Sequence, residues 1–157
     1  MNSNLILRQA LPDDLPDILQ IFKESIEQSC AGDYTPRQIA AWVSSAEDRQ
    51  FWLKRINEQY FILAEYEGRP AGFASLKGGG YIDLLYVHRD YQGMGVAGLL
   101  LKAVSSKAKS LNSGSLSADV SISAMPFFIN NGFAIIRQNI NYRQNVELIN
   151  YRMERII

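Results

Sequence analysis

This chain has almost none of the side chains that cross-link proteins or bind metals. Cys30 is the one cysteine and His88 the one histidine among 157 residues. An intrachain disulfide is excluded, and no metal is expected, because a structural zinc site needs about four Cys or His ligands. An excess of one charge is also missing: 16 basic residues balance 16 acidic ones, and the sequence pI lies near 6.6. Such a chain exerts no global attraction on nucleic acid, and it holds no basic tract that would dock on RNA. Long apolar runs are absent as well. They fall far short of the ~20 residues of a membrane helix, and Asn2-Ser3-Asn4 precedes only a short apolar run, unlike a signal peptide. A cytoplasmic protein with neither nucleic-acid nor membrane partners is expected.

What is present suits a globular enzyme. Hydrophobic residues make up 47% and charged residues 20%, enough for one domain over residues 1–157 with a substantial core. Leu5-Ile6-Leu7-Arg8 predicts a strand. Leu11-Pro12-Asp13-Asp14 then starts a helix that carries Leu15, Ile18, Leu19, Phe22 and Ile26 at helical spacing. Thr35 predicts an N-cap, with Pro36 in the first turn and Ile39, Trp42 and Val43 on the apolar face. A further helical piece is expected from Asp48 to Ile56. Tyr60–Tyr66 and Ala71–Leu76 read as a hairpin around Glu67-Gly68-Arg69-Pro70, and Tyr81–Val87 as a buried strand. Beyond it come a helix with Ala97, Leu100, Leu101, Val104, Ala108 and Leu111 on one stripe, a strand at Leu116–Val120, a short helix at Ala124–Asn131 and two closing strands, Phe133–Ile140 and Val146–Met153. The order β-α-α-β-β-β-α-β-α-β-β implies an α/β (α+β) fold: a mixed, mainly antiparallel twisted sheet flanked by helices.

The most informative stretch joins the central strand to the helix after it. Leu85-Tyr86-Val87 ends an apolar run, and Gln92-Gly93-Met94-Gly95-Val96-Ala97 opens an amphipathic helix. Backbone N–H groups at a helix start lack partners and carry positive potential, so they suit a diphosphate, and glycine lets a ligand approach the main chain closely.

Gln92-x-x-Gly95-x-Ala97 resembles the Q/R-x-x-G-x-G/A signature of the GCN5-related N-acetyltransferases (GNAT). Ala124, Phe127 and Gly132-Phe133 resemble the family's second landmark. The block from Gly32 to Trp42 is similar to a subgroup of small bacterial acetyltransferases whose substrates are mostly unassigned. The resemblance implies an acetyl-CoA-dependent N-acetyltransferase acting on a primary amine of a small molecule or peptide. It places the diphosphate on the amides of Gly93, Gly95, Val96 and Ala97, with Met94 over or beside it and Gln92 ordering the turn. The pantetheine arm would run along Leu85, Tyr86 and Val87, and Ser121 stands where many members carry an asparagine that touches the cofactor. A homodimer is compatible with such a chain.

On the amine side, many members use a tyrosine as general acid where this chain has Phe128, which cannot donate. Tyr81, Tyr86 and Tyr142 are the replacement candidates, Tyr142 first. Asp83 interrupts an apolar strand, where a carboxylate is costly unless bonded or used, so it is the candidate base or water-holder. By the period of two, Tyr81, Asp83 and Leu85 share a face. His88 reads as a solvated turn residue, and Cys30 as a buried or incidental thiol. By resemblance the acceptor pocket falls among Tyr34, Trp42, Phe51 and Trp52, close to Arg37 and Glu27. Two readings compete. One is a non-catalytic acyl-CoA-binding regulatory module, which the loss of the acid at Phe128 favours. The other is a nucleotide-binding protein, but G-x-x-x-x-G-K-[ST] is absent, and the glycine run from Gly93 to Gly98 is weak evidence by itself.

Overall fold

The computed structural model describes residues 4–157. Its elements run β1 (Leu5–Gln9), α1 (Leu15–Ser29), α2 (Pro36–Val43), α3 (Arg49–Glu58), β2 (Tyr60–Tyr66), β3 (Arg69–Lys77), β4 (Tyr81–Val87), α4 (Val96–Ser110), β5 (Ser115–Ser121), α5 (Met125–Asn130), β6 (Ala134–Arg143) and β7 (Val146–Ile156). The seven strands form one sheet in the order β1-β2-β3-β4-β5-β7-β6. Only β4 and β5 run parallel; every other neighbouring pair is antiparallel. The helical piece expected from Asp48 is a full helix, α3, so three helices precede β2. Among the described residues no helix is long and apolar enough to cross a membrane.

Local chemistry sets the helix starts. Thr35 accepts from the Gln38 N–H at 3.1 Å while the Gln38 side chain accepts from the Thr35 N–H at 2.9 Å, a reciprocal cap. Asp48 caps α3 by accepting from the Phe51 N–H. Before α1, Asp14 accepts from the Leu11 N–H at 2.7 Å and pairs with both ends of the Arg8 guanidinium at 2.8 Å.

Two cores flank the sheet. One is built from α4, α5 and strand residues that include Ala64, Ala74, Leu116 and Val120. The other joins α1 and α3 to Phe61, Leu63, Phe73 and Leu84. The buried stripe of α4 is Val96, Leu100, Leu101, Val104 and Ala108. Leu111 falls beyond the end of the helix and is exposed. Gly72 on β3 lets α4 seat closely: a Cβ there would stand 2.8 Å from the Tyr86 carbonyl and 3.0 Å from Val96 Cγ1.

The central strand departs from simple alternation. Ser75 pairs with Leu84 and Leu76 with Ile82, so Asp83 is an extra residue on β4, a β-bulge. The bulge reverses the facing of everything after it. Leu84 and Tyr86 join the α1–α3 core, whereas Leu85 packs on the α4 side. Leu85 therefore does not share a face with Tyr81, contrary to the period-two expectation.

Candidate active site

Beyond the bulge, β4 and β5 part. Their parallel pairing is confined to Tyr81 with Ser117 and Ile82 with Ala118. From Asp83 onward the β5 side of β4 has no strand partner among the described residues, while its other edge pairs with β3 through Val87. A bulge bends its strand, and here the bend coincides with the opening. The gap belongs to one cleft of about 1010 Å³ that runs from the turn before α4 to the ends of α2, α3, β6 and β7.

One end of the cleft is main chain. Gly93 and Gly95 adopt φ +79° and +84°, and Gly95 is the left-handed N-cap of α4. This is a conformation that residues with a Cβ enter at about 1–2 kcal/mol. A Cβ at Gly93, Gly95 or Gly98 would meet nothing within 4 Å, so the turn is lined by open space. Among the described residues, the N–H groups of Gly93, Gly95, Val96 and Ala97 donate to no protein acceptor. Unpaired amides, a helix N-terminus and room beside the main chain fit an anion of diphosphate size. Gln92 braces the turn, its Nε2 donating to Ser29 Oγ at 2.9 Å and to the Val87 carbonyl at 3.4 Å. Leu85, Tyr86, Val87, Gln92, Gly93, Gly95, Val96, Ala97 and Ser121 all line the cleft. Met94 does not; its side chain packs against the α4-side core. Ser121 Oγ accepts from the Ala124 N–H at 3.1 Å and so fixes the turn into α5.

The other end is side chain. Asp83 Oδ2 accepts from Gln59 Nε2 at 2.9 Å and lies 3.3 Å from Arg55 Nε. The Arg55 guanidinium lies over the Phe51 ring at 4.3 Å and the Trp52 ring at 5.0 Å. Burial pulls its pKa below the usual value, against the upward pull of Asp83. Arg55 Nε and Gln59 Oε1 are both buried without a hydrogen-bond partner among the described residues. An unpartnered buried acceptor such as Gln59 Oε1 costs on the order of 1–3 kcal/mol, whereas Arg55 Nε keeps its ion pair with Asp83. Sequence reasoning missed Arg55 and Gln59. The one signal available was a cation four residues after Phe51 and three after Trp52, on the same helical face.

The remaining candidates divide between wall and frame. Trp42 and Phe51 line the cleft with partly exposed rings. Trp52 is 0% exposed; its indole N–H donates to the Ser45 carbonyl and its ring packs on Phe22 and Phe73, so it supports the wall from beneath. Tyr34 has a committed hydroxyl, which donates to the Ile149 carbonyl at 2.7 Å and accepts from the Ile122 N–H at 3.0 Å. It ties β7 to the turn after β5. Arg37 and Glu27 are exposed and do not line the cleft. Tyr142 stands on the rim, 73% exposed. Tyr81 is committed, donating to Asp119 Oδ2 at 2.8 Å, and burial reinforced by that carboxylate pushes its phenol pKa up. Burial likewise pushes the Tyr86 phenol up.

His88 occupies a turn, but its ring is engaged. Nδ1 accepts from the Asp90 N–H at 3.0 Å, and Nε2 lies 3.4 Å from Glu24 Oε2, with 17% of the side chain exposed. Cys30 is buried, and burial pushes its thiol pKa up, away from thiolate chemistry. Phe128 is buried against Phe127 and Phe133 with its edge on the cleft. Among the described residues no group of three or more His, Cys, Asp or Glu is placed to hold a metal.

Known proteins share this architecture. A GCN5-related N-acetyltransferase from Rhodopseudomonas palustris superposes with a TM-score of 0.96 at 36% identity, covering 100% of this chain and 98% of its own. PaiA N-acetyltransferase from Thermoplasma acidophilum, solved in complex with coenzyme A, superposes with a TM-score of 0.82 at 18% identity over the full length of both chains, a likeness of fold. In sequence, the uncharacterized N-acetyltransferase YafP of Escherichia coli K12 is 33% identical over 136 residues, 87% of this chain and 85% of its own. Residues 30–155 match the acetyltransferase (GNAT) domain family, and the chain is a member of that family of acyltransferases.

Proposed function

We propose that this chain transfers an acetyl group from acetyl-CoA to a primary amine of a small molecule or peptide. The observation that carries the reading is the single cleft joining the unpaired N–H groups of residues 93–97 to the Asp83–Arg55 cluster through the gap between β4 and β5. Acetyl-CoA, the co-substrate of this family, supplies a thioester carbonyl and a thiolate leaving group. The turn grips the diphosphate, and the unpaired edge of β4 from Asp83 to Val87 offers amides and carbonyls to the pantetheine arm. Asp83 Oδ1, which takes no donor among the described residues, faces the amine as hydrogen-bond acceptor and takes its proton as the C–N bond forms. The C–S bond breaks as the thiolate gains a proton from the rim, where Tyr142 carries an uncommitted hydroxyl. Holding both reactants in one cleft contributes several kcal/mol on its own, so the loss of an acid at Phe128 does not forbid turnover.

Calorimetry with acetyl-CoA, NAD and ATP tests the grip: only acetyl-CoA is expected to bind. Free-thiol release across a panel of amines tests transfer. Thiol release that no amine accelerates, in a protein that binds acetyl-CoA, favours the non-catalytic module, for which the buried Phe128 ring is the supporting feature.

A further inference from the structure

The acceptor end of the cleft is charged in a way that acetyl transfer to a plain amine does not need. Arg55 is fixed by two aromatic rings, and among the described residues its only charged neighbour at contact distance is Asp83. Neither Nη group takes an acceptor among the described residues, although guanidinium carries five donors and stays charged in proteins. Asp83 presents the complementary lack: Oδ2 serves Gln59 and Arg55, while Oδ1 takes no donor among the described residues. A cation and an anion 3.3 Å apart thus each keep a free edge on the same cleft.

We infer that the acceptor is an amino carboxylate, its ammonium on Asp83 Oδ1 and its carboxylate on the Arg55 fork. This rests on the acyl-transfer reading above and names its substrate class. A zwitterion with amine and carboxylate a few bonds apart spans the Arg55–Asp83 pair with its ends reversed, satisfying both free edges at once. Arg143 on the cleft rim adds a second cation facing Arg55. Asp48 caps α3 and Asp119 pairs with Arg152, so the carboxylates of Asp48, Asp83 and Asp119 are matched by the guanidiniums of Arg55, Arg143 and Arg152. A polyamine therefore finds no surplus of negative charge here. A peptide amino terminus leaves the guanidinium unpaired, because an amide replaces the carboxylate. Phe51 and Trp42 would border the acceptor's own side chain.

The test uses matched triplets: leucine, phenylalanine and glutamine, each with its α-amide and its decarboxylated amine, and spermidine beside them. Thiol release and the thermal shift of the full chain with saturating coenzyme A are both measured. At least one free amino acid is expected to exceed its amide and its amine about tenfold or more in kcat/KM, and to raise the melting temperature where they do not. Arg55→Met, which keeps the packing on Phe51, should bring the members of that triplet within about threefold through KM, and Arg55→Lys should restore part of the preference. Circular dichroism and acetyl-CoA affinity check that each variant is folded with its donor turn intact. Equal use of the decarboxylated amine, no binding of any amino carboxylate, or an equal loss across the triplet in Arg55→Met overturns the inference. Acetyl-CoA calorimetry on the wild-type chain separates the two levels: absent binding sinks both readings, whereas intact binding without a carboxylate preference sinks only this one.

Discussion

On the proposed function, the two ends of the cleft would recognise by different means. The donor end presents main chain: a turn in which the amides of Gly93, Gly95, Val96 and Ala97 are unpaired among the described residues and the glycines keep side chains out of the way. The acceptor end presents side chains from three separated segments, with Arg55 and Gln59 from in and just after α3, Asp83 from β4 and Tyr142 from β6. Main-chain recognition needs a conformation, and a short local motif can specify it. Side-chain recognition needs an assembly that only the fold provides. The donor end is therefore expected to tolerate truncated side chains but no added bulk or charge. The acceptor end should behave in the opposite way.

The largest effect should come from breaking that rule at the donor end. Gly95→Glu places a carboxylate beside the anion site at φ +84°, and a loss of acetyl-CoA affinity of about 100-fold or more, worth roughly 2.8 kcal/mol, is expected with circular dichroism unchanged. Unchanged affinity would falsify the placement of the diphosphate. Next comes the seat beneath the turn. Gly72→Ala forces a Cβ to within 2.8 Å of the Tyr86 carbonyl, and overpacking of this kind costs about 1–3 kcal/mol, measurable as a lower urea midpoint. A midpoint equal to wild type would mean that α4 shifts freely.

At the acceptor end, Asp83→Asn leaves the Arg55 guanidinium without its carboxylate. The two side chains are 19% and 17% exposed, so a loss of about 1–3 kcal/mol is expected, below the 3–5 kcal/mol of a fully buried pair. The acetylation rate should fall with it, while acetyl-CoA affinity stays within about twofold. A fall in acetyl-CoA affinity as large as that in rate would erase the distinction between the two ends.

Acid should act away from the donor turn. Burial alone would raise the Asp119 carboxyl, but Arg152 and Tyr81 outweigh it and hold it below the ordinary range; Arg8 does the same for Asp14. A carboxyl depressed in the folded state contributes stability at pH above its unfolded value of about 3.9, and that share is lost as pH falls through the folded value. Asp119→Asn should flatten the decline of stability below about pH 4, and an acid titration as steep as wild type would contradict this. The smallest effect is expected from Phe128→Tyr, which adds one hydroxyl at the edge of the cleft. Activity should be kept or raised, with stability changed by less than about 1 kcal/mol. A large loss of activity would show that the ring edge has no room for a hydroxyl.

Much of the fold was legible because its signals are local. The cap at Thr35, the helix start at Asp48, the apolar stripe of α4 and the hairpin around Glu67-Gly68 each arise within a few residues. The bulge at Asp83 was not. Tyr81–Val87 is apolar on both faces, as a central strand must be, so its alternation carries no phase, and one inserted residue reverses the facing of Leu85 without trace. The same lack of local signal hid the difference between Trp42, on the cleft wall, and Trp52, beneath it. Both lie on amphipathic helices, and their neighbours come from distant strands.

What the chain determined by itself is the turn from Gln92 to Ala97, because φ, glycine and a helix start are properties of consecutive residues. The tertiary structure alone decided that β4 and β5 part after Ile82 and that Arg55 meets Asp83 28 positions away in sequence. Contacts across the sheet depend on register and on how helices pack over it, and neither is written within a single segment.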